Sequence, residues 1–273
     1  MHDDSNAKKE TVRIMMLGDV VGATGRALCA RHIATIKEEH QIDCVIANGE
    51  NAADDGKGIM PNDAQFLLSH GVDVITSGNH IWDKKEIIPF IEKNSMLIRP
   101  ANYSFDAPGS GYTIKESAGI LYGVINLMGR VFMPSSTDCP FLKAQELIFL
   151  LKEKTNIILI DMHAQATAEK MGLAYFLDGM VTAIVGTHTH TQTMDERILP
   201  SGTAYISDAG MIGSQHSILG YKVQSFKDQG MRVAKKVETM QPYCINGVII
   251  TADVATGKAL AIERYAVIDT QQV

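Results

Sequence analysis

The chain alternates short aliphatic, β-branched runs with stretches whose apolar residues recur at helical spacing. This alternation constrains the fold most, because it predicts strand–helix–strand units in which parallel strands are joined by right-handed crossovers. Apolar runs of this length, bounded by polar residues, predict buried strands. The predicted strands are 13–17, 44–47, 72–76, 157–160 and 181–185, and the predicted helices are 27–40, 62–70, 84–93 and 144–154.

Two β-hairpins are predicted in addition to these units. The first turns at residues 116–119, and the second turns at Ala255, Thr256 and Gly257. Their strands are 111–115 with 120–126, and 247–253 with 259–266. Antiparallel hairpins combined with strand–helix–strand units indicate two packed mixed β-sheets with helices outside them. The expected fold class is therefore α/β.

The 273 residues are enough to bury a large core, and no linker rich in proline, glycine or serine divides them. We expect a polar, flexible extension at residues 1–11, followed by a single domain over residues 12–273. Residues 211–241 are polar and match neither the strand nor the helix pattern. We expect them to form an excursion at the surface.

Composition and charge exclude several classes of protein. No apolar run reaches the ~20 residues that cross a bilayer, and the first dozen residues lack the apolar core of a signal peptide. The four cysteines are scattered, as is typical of reduced thiols, so a cytoplasmic location is expected. A formal charge of −6 disfavours a dedicated nucleic-acid surface. Symmetric self-association is common among soluble proteins, so a homo-oligomer is expected.

Each of the five predicted strands ends in polar residues of types that bind metals. Open α/β sheets bind ligands at the carboxyl ends of their strands, so these residues should converge in one cleft. Carboxylates, amide oxygens and imidazoles together form a mixed oxygen and nitrogen donor set that suits manganese, iron or a similar ion. The residues are Asp19, Glu50, Asn51, Asn79, His80, His163, His188 and His190.

This set is too large for one tetrahedral metal ion. Two ions that share a bridging carboxylate would use it, and such pairs, typically ~3.5–4 Å apart, activate a hydroxide at a phosphoryl centre. His188 and His190 are the strongest pair, because alternation would place both rings on one side of an extended segment. Taken singly, Asp19 could be a helix cap and His163 a hydrogen-bonded core histidine. Their joint occurrence at successive strand ends favours the metal site.

The motifs at the strand ends are distinctive when they are taken together. They are Gly18-Asp19-Val20-Val21-Gly22, Asn48-Gly49-Glu50-Asn51, Gly78-Asn79-His80 and Gly186-Thr187-His188-Thr189-His190. This combination resembles the calcineurin-like metallophosphoesterases and, more narrowly, the bacterial YmdB-like family. The resemblance extends from residue 12 to about residue 264. It implies a four-layer αββα sandwich, in which two mixed sheets are flanked by helices, with a dinuclear metal centre.

The resemblance also implies a role for each residue. One metal ion would be bound by Asp19, Glu50, Asn51 and His190. The second would be bound by Glu50, Asn79, His163 and His188, so that Glu50 would be the bridge. His80 would be the general acid that protonates the leaving oxygen. The cofactors implied are two divalent or trivalent ions per subunit, iron or manganese first, with magnesium or zinc as alternatives.

The broader superfamily usually begins its site with Asp-x-His and bridges its metals with aspartate. Here Asp19 is followed by Val20 and Val21, and Glu50 occupies the bridging position. These departures favour the YmdB-like branch over ordinary phosphatases.

The activity implied is a phosphodiesterase that hydrolyses small cyclic nucleotides, with 2′,3′-cyclic nucleoside monophosphates as expected substrates. A metal-bridging hydroxide would attack phosphorus, and His80 would act as the acid. Asp83 and Asp195 are both candidates to keep His80 protonated. Two alternatives stay open. One is a phosphomonoesterase or nucleotidase with the same centre, and the other is a non-catalytic, metal-containing regulatory protein that senses nucleotide or RNA.

Overall fold

Two six-stranded mixed β-sheets pack face to face and carry helices on their outer faces. The computed structural model describes residues 9–134, 136–229 and 236–273. Most of the extension predicted at residues 1–11 therefore lies outside the described residues. The four layers confirm the predicted α/β sandwich.

The first sheet contains the strands that lead to Asp19, Glu50 and Asn79. Its strands are β1 Thr11–Val20, β2 Cys44–Asn48, β3 Val74–Thr76, β10 Met211–Ser214, β11 Tyr243–Asp253 and β12 Ala259–Asp269. Their spatial order is β12-β11-β10-β1-β2-β3, and β11 also pairs with β1. Strands β10, β1, β2 and β3 run parallel, so their carboxyl ends lie at the same edge of the sheet.

The second sheet contains the strands that lead to the candidate histidines His163, His188 and His190. Its strands are β4 Tyr112–Ser117, β5 Ile120–Met128, β6 Ile157–His163, β7 Ala183–Thr187, β8 Arg197–Ile198 and β9 Ala204–Ile206. Their spatial order is β4-β5-β6-β7-β9-β8. Strands β5, β6, β7 and β9 run parallel, and this sheet therefore also collects its carboxyl ends at one edge.

Six α-helices occur in the described part of the chain. They are α1 Gly22–Glu39, α2 Pro61–Ser69, α3 Ile88–Ile91, α4 Pro140–Lys152, α5 Thr167–Phe176 and α6 Val223–Gln229. Helices α1 and α2 pack on the first sheet, and α4 and α5 pack on the second. Over the residues described, none of these helices combines the length and apolar character that a membrane span requires.

Strand β1 shows why the sheets stack. Its side chains alternate, so Ile14 and Met16 pack between the two sheets while Met15 and Leu17 pack toward α1. All four are buried. Burial of one such side chain contributes about 1.5–3 kcal/mol. A strand that is apolar on both faces must be covered on both, which requires the layered arrangement.

One predicted helix differs from the structure, and the observed helix α5 has no predicted counterpart. The helix predicted at residues 84–93 is a 3₁₀ turn, Lys85–Ile87, followed by the four-residue α3. Pro89 explains the interruption, because its ring and missing N–H prevent continuation of a preceding helix.

The surface excursion predicted at residues 211–241 is wrong for its first four residues. Strand β10 is buried and pairs with both β1 and β11. It is too short to show a period, and Gly213 and Ser214 make half of it non-aliphatic. Its burial comes from pairing with strands that are distant in sequence.

The close approach of β7 to β9 requires glycine at position 186. A Cβ built on Gly186 would lie 1.8 Å from the carbonyl oxygen of Ser207. We expect Gly186→Ala to lower the free energy of unfolding by about 1–3 kcal/mol, because the strands must separate. Gly172→Ala is the matched control, since a Cβ there would meet only Phe141, at 3.7 Å.

Gly172 lies in the interior of α5, so alanine there should raise stability by about 0.5–1 kcal/mol. Urea unfolding followed by circular dichroism measures both changes. A Gly186→Ala protein as stable as the wild type would contradict the packing described for β7 and β9.

Candidate metal centre

The carboxyl ends of the parallel strands from both sheets meet at one edge of the sandwich. The backbone N–H of His188, after β7, donates to Oδ2 of Asp19, on β1, at 3.1 Å. This bond joins the two sheets at the site. The structure brings all eight candidate residues to this edge, in two adjoining clusters with His80 beside them.

The first cluster consists of Asp19, Asn51 and His190. His190 Nε2 lies 3.1 Å from Asn51 Oδ1 and 3.7 Å from Asp19 Oδ1. Asp19 is fully buried, and its Oδ1 has no hydrogen-bond partner among the described residues. Burial raises the pKa of Asp19 to about 6, although His190 and His163 oppose this shift. Burial of this oxygen without a hydrogen bond therefore lowers the stability of the fold unless a positive charge lies beside it.

The second cluster consists of Glu50, Asn79, His163 and His188. His163 Nε2 lies 3.1 Å from Glu50 Oε1, 3.3 Å from Asn79 Oδ1 and 3.1 Å from His188 Nδ1. One ligand atom each from Glu50, His163 and His188 falls within 4.8 Å of the other two. Donor atoms from four separate segments thus face one small volume.

The electrostatics of the second cluster favour a cation in that volume. Burial alone would raise the pKa of Glu50, but the charge and hydrogen bond of His163 lower it. Burial likewise opposes protonation of His163, yet Glu50 raises the pKa of that ring. Burial and the neighbouring His163 lower the pKa of His188 to about 3. The buried carboxylate of Glu50 is therefore stabilised by positive charge beside it.

The donor atoms of these clusters are of types that fit metal binding. Carboxylate, amide and imidazole donors are ligands that iron and manganese accept. The unpartnered Asp19 Oδ1 is a free ligand atom in the first cluster. In the second, a Cβ on Gly78 would lie 2.3 Å from His163 Nε2 and 2.4 Å from Glu50 Oε2. Any larger residue at position 78 would occupy the space that these donor atoms face.

His163 is oriented by a buried network that the sequence analysis did not include. Its Nδ1 lies 2.9 Å from Thr187 Oγ1, which donates to Asp161 Oδ1 at 2.7 Å. Asn48 Nδ2 donates to the other oxygen of Asp161 at 2.9 Å. Because the Thr187 hydroxyl donates to Asp161, it accepts from Nδ1–H, and Nε2 is left to face Glu50. The signal for Asp161 was its place in the Asp-Met-His motif that ends β6.

His190 is oriented by the segment whose role the sequence did not indicate. Its Nδ1–H donates to the carbonyl oxygen of Leu219 at 3.1 Å, so Nε2 faces Asp19 and Asn51. Residues 218–221 are tied to the same region, because the Tyr221 hydroxyl and Asn51 Nδ2 both donate to Gly56 O at 2.9 Å. Part of residues 211–241 therefore supports the first cluster.

The extended conformation predicted for residues 188–190 is wrong. Strand β7 ends at Thr187, and His188 and His190 have φ of +98° and +60°. Such left-handed conformations cost about 1–3 kcal/mol each. They turn the two rings apart, so that His188 faces the second cluster and His190 the first.

His80 lies at the rim of the second cluster. Its backbone N–H donates to Glu50 Oε2 at 3.0 Å, and its Nδ1 lies 2.8 Å from Asp83 Oδ2. Asp83 is thus the carboxylate beside the imidazole. Asp195, the other candidate, instead accepts the backbone N–H of Ser207 at 3.0 Å. With Nδ1 held by Asp83, Nε2 is the ring atom that can reach a substrate.

Comparison with known proteins agrees with this architecture. The family model described as YmdB-like protein matches residues 15–265. A Bacillus subtilis protein named 2′,3′-cyclic-nucleotide 2′-phosphodiesterase is 43% identical over 267 residues, which cover 94% of this chain and 98% of that protein.

Two solved structures have the same fold. A phosphatase from Mycoplasma pneumoniae superposes with a TM-score of 0.87 at 35% identity, covering 96% of this chain and 95% of that one. A hypothetical protein from Thermus thermophilus gives 0.86 at 35% identity, covering 94% and 100%. The fold is therefore that of the metallophosphoesterase-type phosphatases. On the family match and these identities, the chain belongs to the YmdB-like family.

Proposed function

We propose that this protein is a phosphodiesterase with two metal ions that hydrolyses 2′,3′-cyclic nucleoside monophosphates. The observation that carries the proposal is the convergence of two donor clusters, one with an unpartnered buried carboxylate oxygen, beside the His80–Asp83 pair. The names of the relatives support a phosphoric ester hydrolase. The cyclic substrate rests on the 43%-identical Bacillus subtilis relative.

The proposed ligand assignment follows the two clusters. Asp19, Asn51 and His190 would hold one ion, and Asn79, His163 and His188 the other. Glu50 would contribute to both, since it contacts His163 of the second cluster and immediately precedes Asn51 of the first in the chain. Iron or manganese suits these donors. When bound, such a pair supplies a hydroxide nucleophile and stabilises the charge that develops on the phosphoryl oxygens.

His80 would protonate the departing ribose oxygen as the phosphorus–oxygen bond breaks. Its position supports this role, because Asp83 contacts Nδ1 and leaves Nε2 as the ring nitrogen that would donate the proton. Hydrogen bonding of the His80 backbone to Glu50 keeps the ring next to the second cluster. Positioned acid catalysis of this kind contributes about 10²–10⁴ in rate.

Phosphomonoester hydrolysis by the same centre is the second candidate, because the Mycoplasma pneumoniae neighbour is named a phosphatase. The same ligands would serve either reaction, so substrate comparison must separate them. A regulatory protein that binds nucleotide without cleaving it would differ from both in showing no turnover.

A substrate panel tests the proposal. With Mn²⁺ or Fe²⁺ bound, the protein should hydrolyse a 2′,3′-cyclic nucleotide to a nucleoside monophosphate faster than it hydrolyses 3′,5′-cyclic or monoester substrates. Chromatography of the products, together with metal analysis of the same preparation, measures this preference. Preferential release of phosphate from monoesters would favour the phosphatase, and tight nucleotide binding without turnover would favour the regulatory protein.

His80→Ala should retain the wild-type metal content, because His80 lies beside the clusters rather than in them. Turnover of the cyclic nucleotide should fall by about 10²–10⁴. The defect should be much smaller with bis-p-nitrophenyl phosphate, because nitrophenolate leaves without protonation. Asp83→Asn should show the same dependence on leaving group to a lesser degree.

The control for this prediction is Lys57→Ala, an exposed residue of the neighbouring loop. It should leave turnover of both substrates unchanged. An equal loss on both substrates in His80→Ala would contradict an acid role, and loss of metal would identify His80 as a ligand.

A further inference from the structure

Lys170, on α5, is almost fully buried, at 1% exposure. Lysine is seldom buried in this way unless its charge is paired. Its Nζ donates to the carbonyl oxygen of Thr187 at 2.8 Å and to Asp208 Oδ2 at 3.0 Å. Thr187 is the last residue of β7, so the lysine holds the point at which the chain leaves the strand.

Asp208 extends this connection to the next residues. It follows β9, is 1% exposed, and its Oδ2 also accepts the backbone N–H and the hydroxyl of Thr189, at 3.0 and 2.8 Å. Its Oδ1 accepts the N–H of Gly210 at 2.9 Å. The carbonyl of Gly210 in turn accepts the N–H of Asp19 at 3.0 Å. One buried carboxylate therefore links the turn after β7 to the start of the first cluster.

The residues on either side of Thr189 are the two histidines in left-handed conformations. An unrestrained segment would favour the extended region, in which His188 and His190 project to the same side. The bonds from Lys170 and Asp208 hold the backbone between the two rings in the turned form. That form sends His188 to the second cluster and His190 to the first.

We propose that Lys170 and Asp208 are positioning residues that divide the two histidines between the two metal sites. The inference rests on the metal centre of the proposed function. Neither residue is assigned as a ligand, since Lys170 Nζ and both Asp208 oxygens are engaged within the protein. Their contribution is to hold a conformation that the histidines do not favour.

The test measures Mn²⁺ affinity by calorimetric titration of chelator-treated protein. Lys170→Met preserves the length of the side chain but removes its charge, and Asp208→Asn preserves shape but removes the anion. Each should weaken Mn²⁺ binding by about 10–100-fold, the range typical when a support of a metal ligand is lost. Circular dichroism at the titration temperature establishes that each variant is folded.

A second pair of variants leaves the buried ion pair intact. Thr189→Val removes the hydroxyl that donates to Asp208 and should also weaken Mn²⁺ binding, whereas Thr189→Ser keeps it and should restore the affinity. Thr203→Val is the matched control. It removes a buried hydroxyl at the opposite end of β9, where Oγ1 donates to Val181 O at 2.8 Å, and should leave affinity unchanged.

Wild-type Mn²⁺ affinity in folded Lys170→Met, Asp208→Asn and Thr189→Val proteins would overturn the inference while leaving the metal centre in place. An equally weak Mn²⁺ affinity in Thr189→Ser would also overturn it, since the hydroxyl would then not contribute to that affinity. Failure of the unaltered protein to bind Mn²⁺, Fe²⁺ or Zn²⁺ would instead contradict the proposed function itself.

Discussion

The site depends on one buried carboxylate, Asp19, at the place where the two sheets meet. Its Oδ2 accepts the backbone N–H of His188 from the second sheet, and its Oδ1 has no hydrogen-bond partner among the described residues. An uncompensated buried charge costs on the order of several kcal/mol. Positive charge at this edge would compensate that cost. The same carboxylate therefore joins the two sheets and favours binding of a cation at the site. A phosphoric ester hydrolase gains from such a junction, because cations there also attract its anionic substrate.

In both clusters, a hydrogen bond from Nδ1–H orients a histidine ring. His163 donates Nδ1–H to Thr187, backed by Asp161, and His190 donates Nδ1–H to the carbonyl of Leu219. In both rings the bond leaves Nε2 facing the cluster. Residues outside the motifs therefore decide which nitrogen is available.

Much of the fold could be predicted because it depends on local pattern. The five strands were found from their aliphatic runs, and the polar residues at their ends were expected to converge because parallel strands share an edge. The turn at His188 and His190 could not be predicted, because its conformation depends on hydrogen bonds to Lys170 and Asp208, which are distant in sequence. The short strands β9 and β10 carry too few residues to show a period, so Asp208 was not recognised as a strand-end residue.

The sequence likewise could not decide whether Asp83 or Asp195 is the partner of His80, because that depends on how the chain folds. Asp83 is three residues from His80 and contacts it, whereas Asp195 is engaged by Ser207. Spacing alone did not distinguish a carboxylate near in sequence from one brought near by folding.

Electron paramagnetic resonance of the Mn²⁺-saturated protein tests whether Glu50 joins two adjacent metal ions, as we propose. A dinuclear centre bridged by Glu50 predicts the spectrum of an exchange-coupled manganese pair. It also predicts that Glu50→Gln abolishes the coupling, whereas Glu38→Gln, an exposed change on α1, retains it. A spectrum of isolated Mn²⁺ in the saturated wild-type protein would contradict the dinuclear centre.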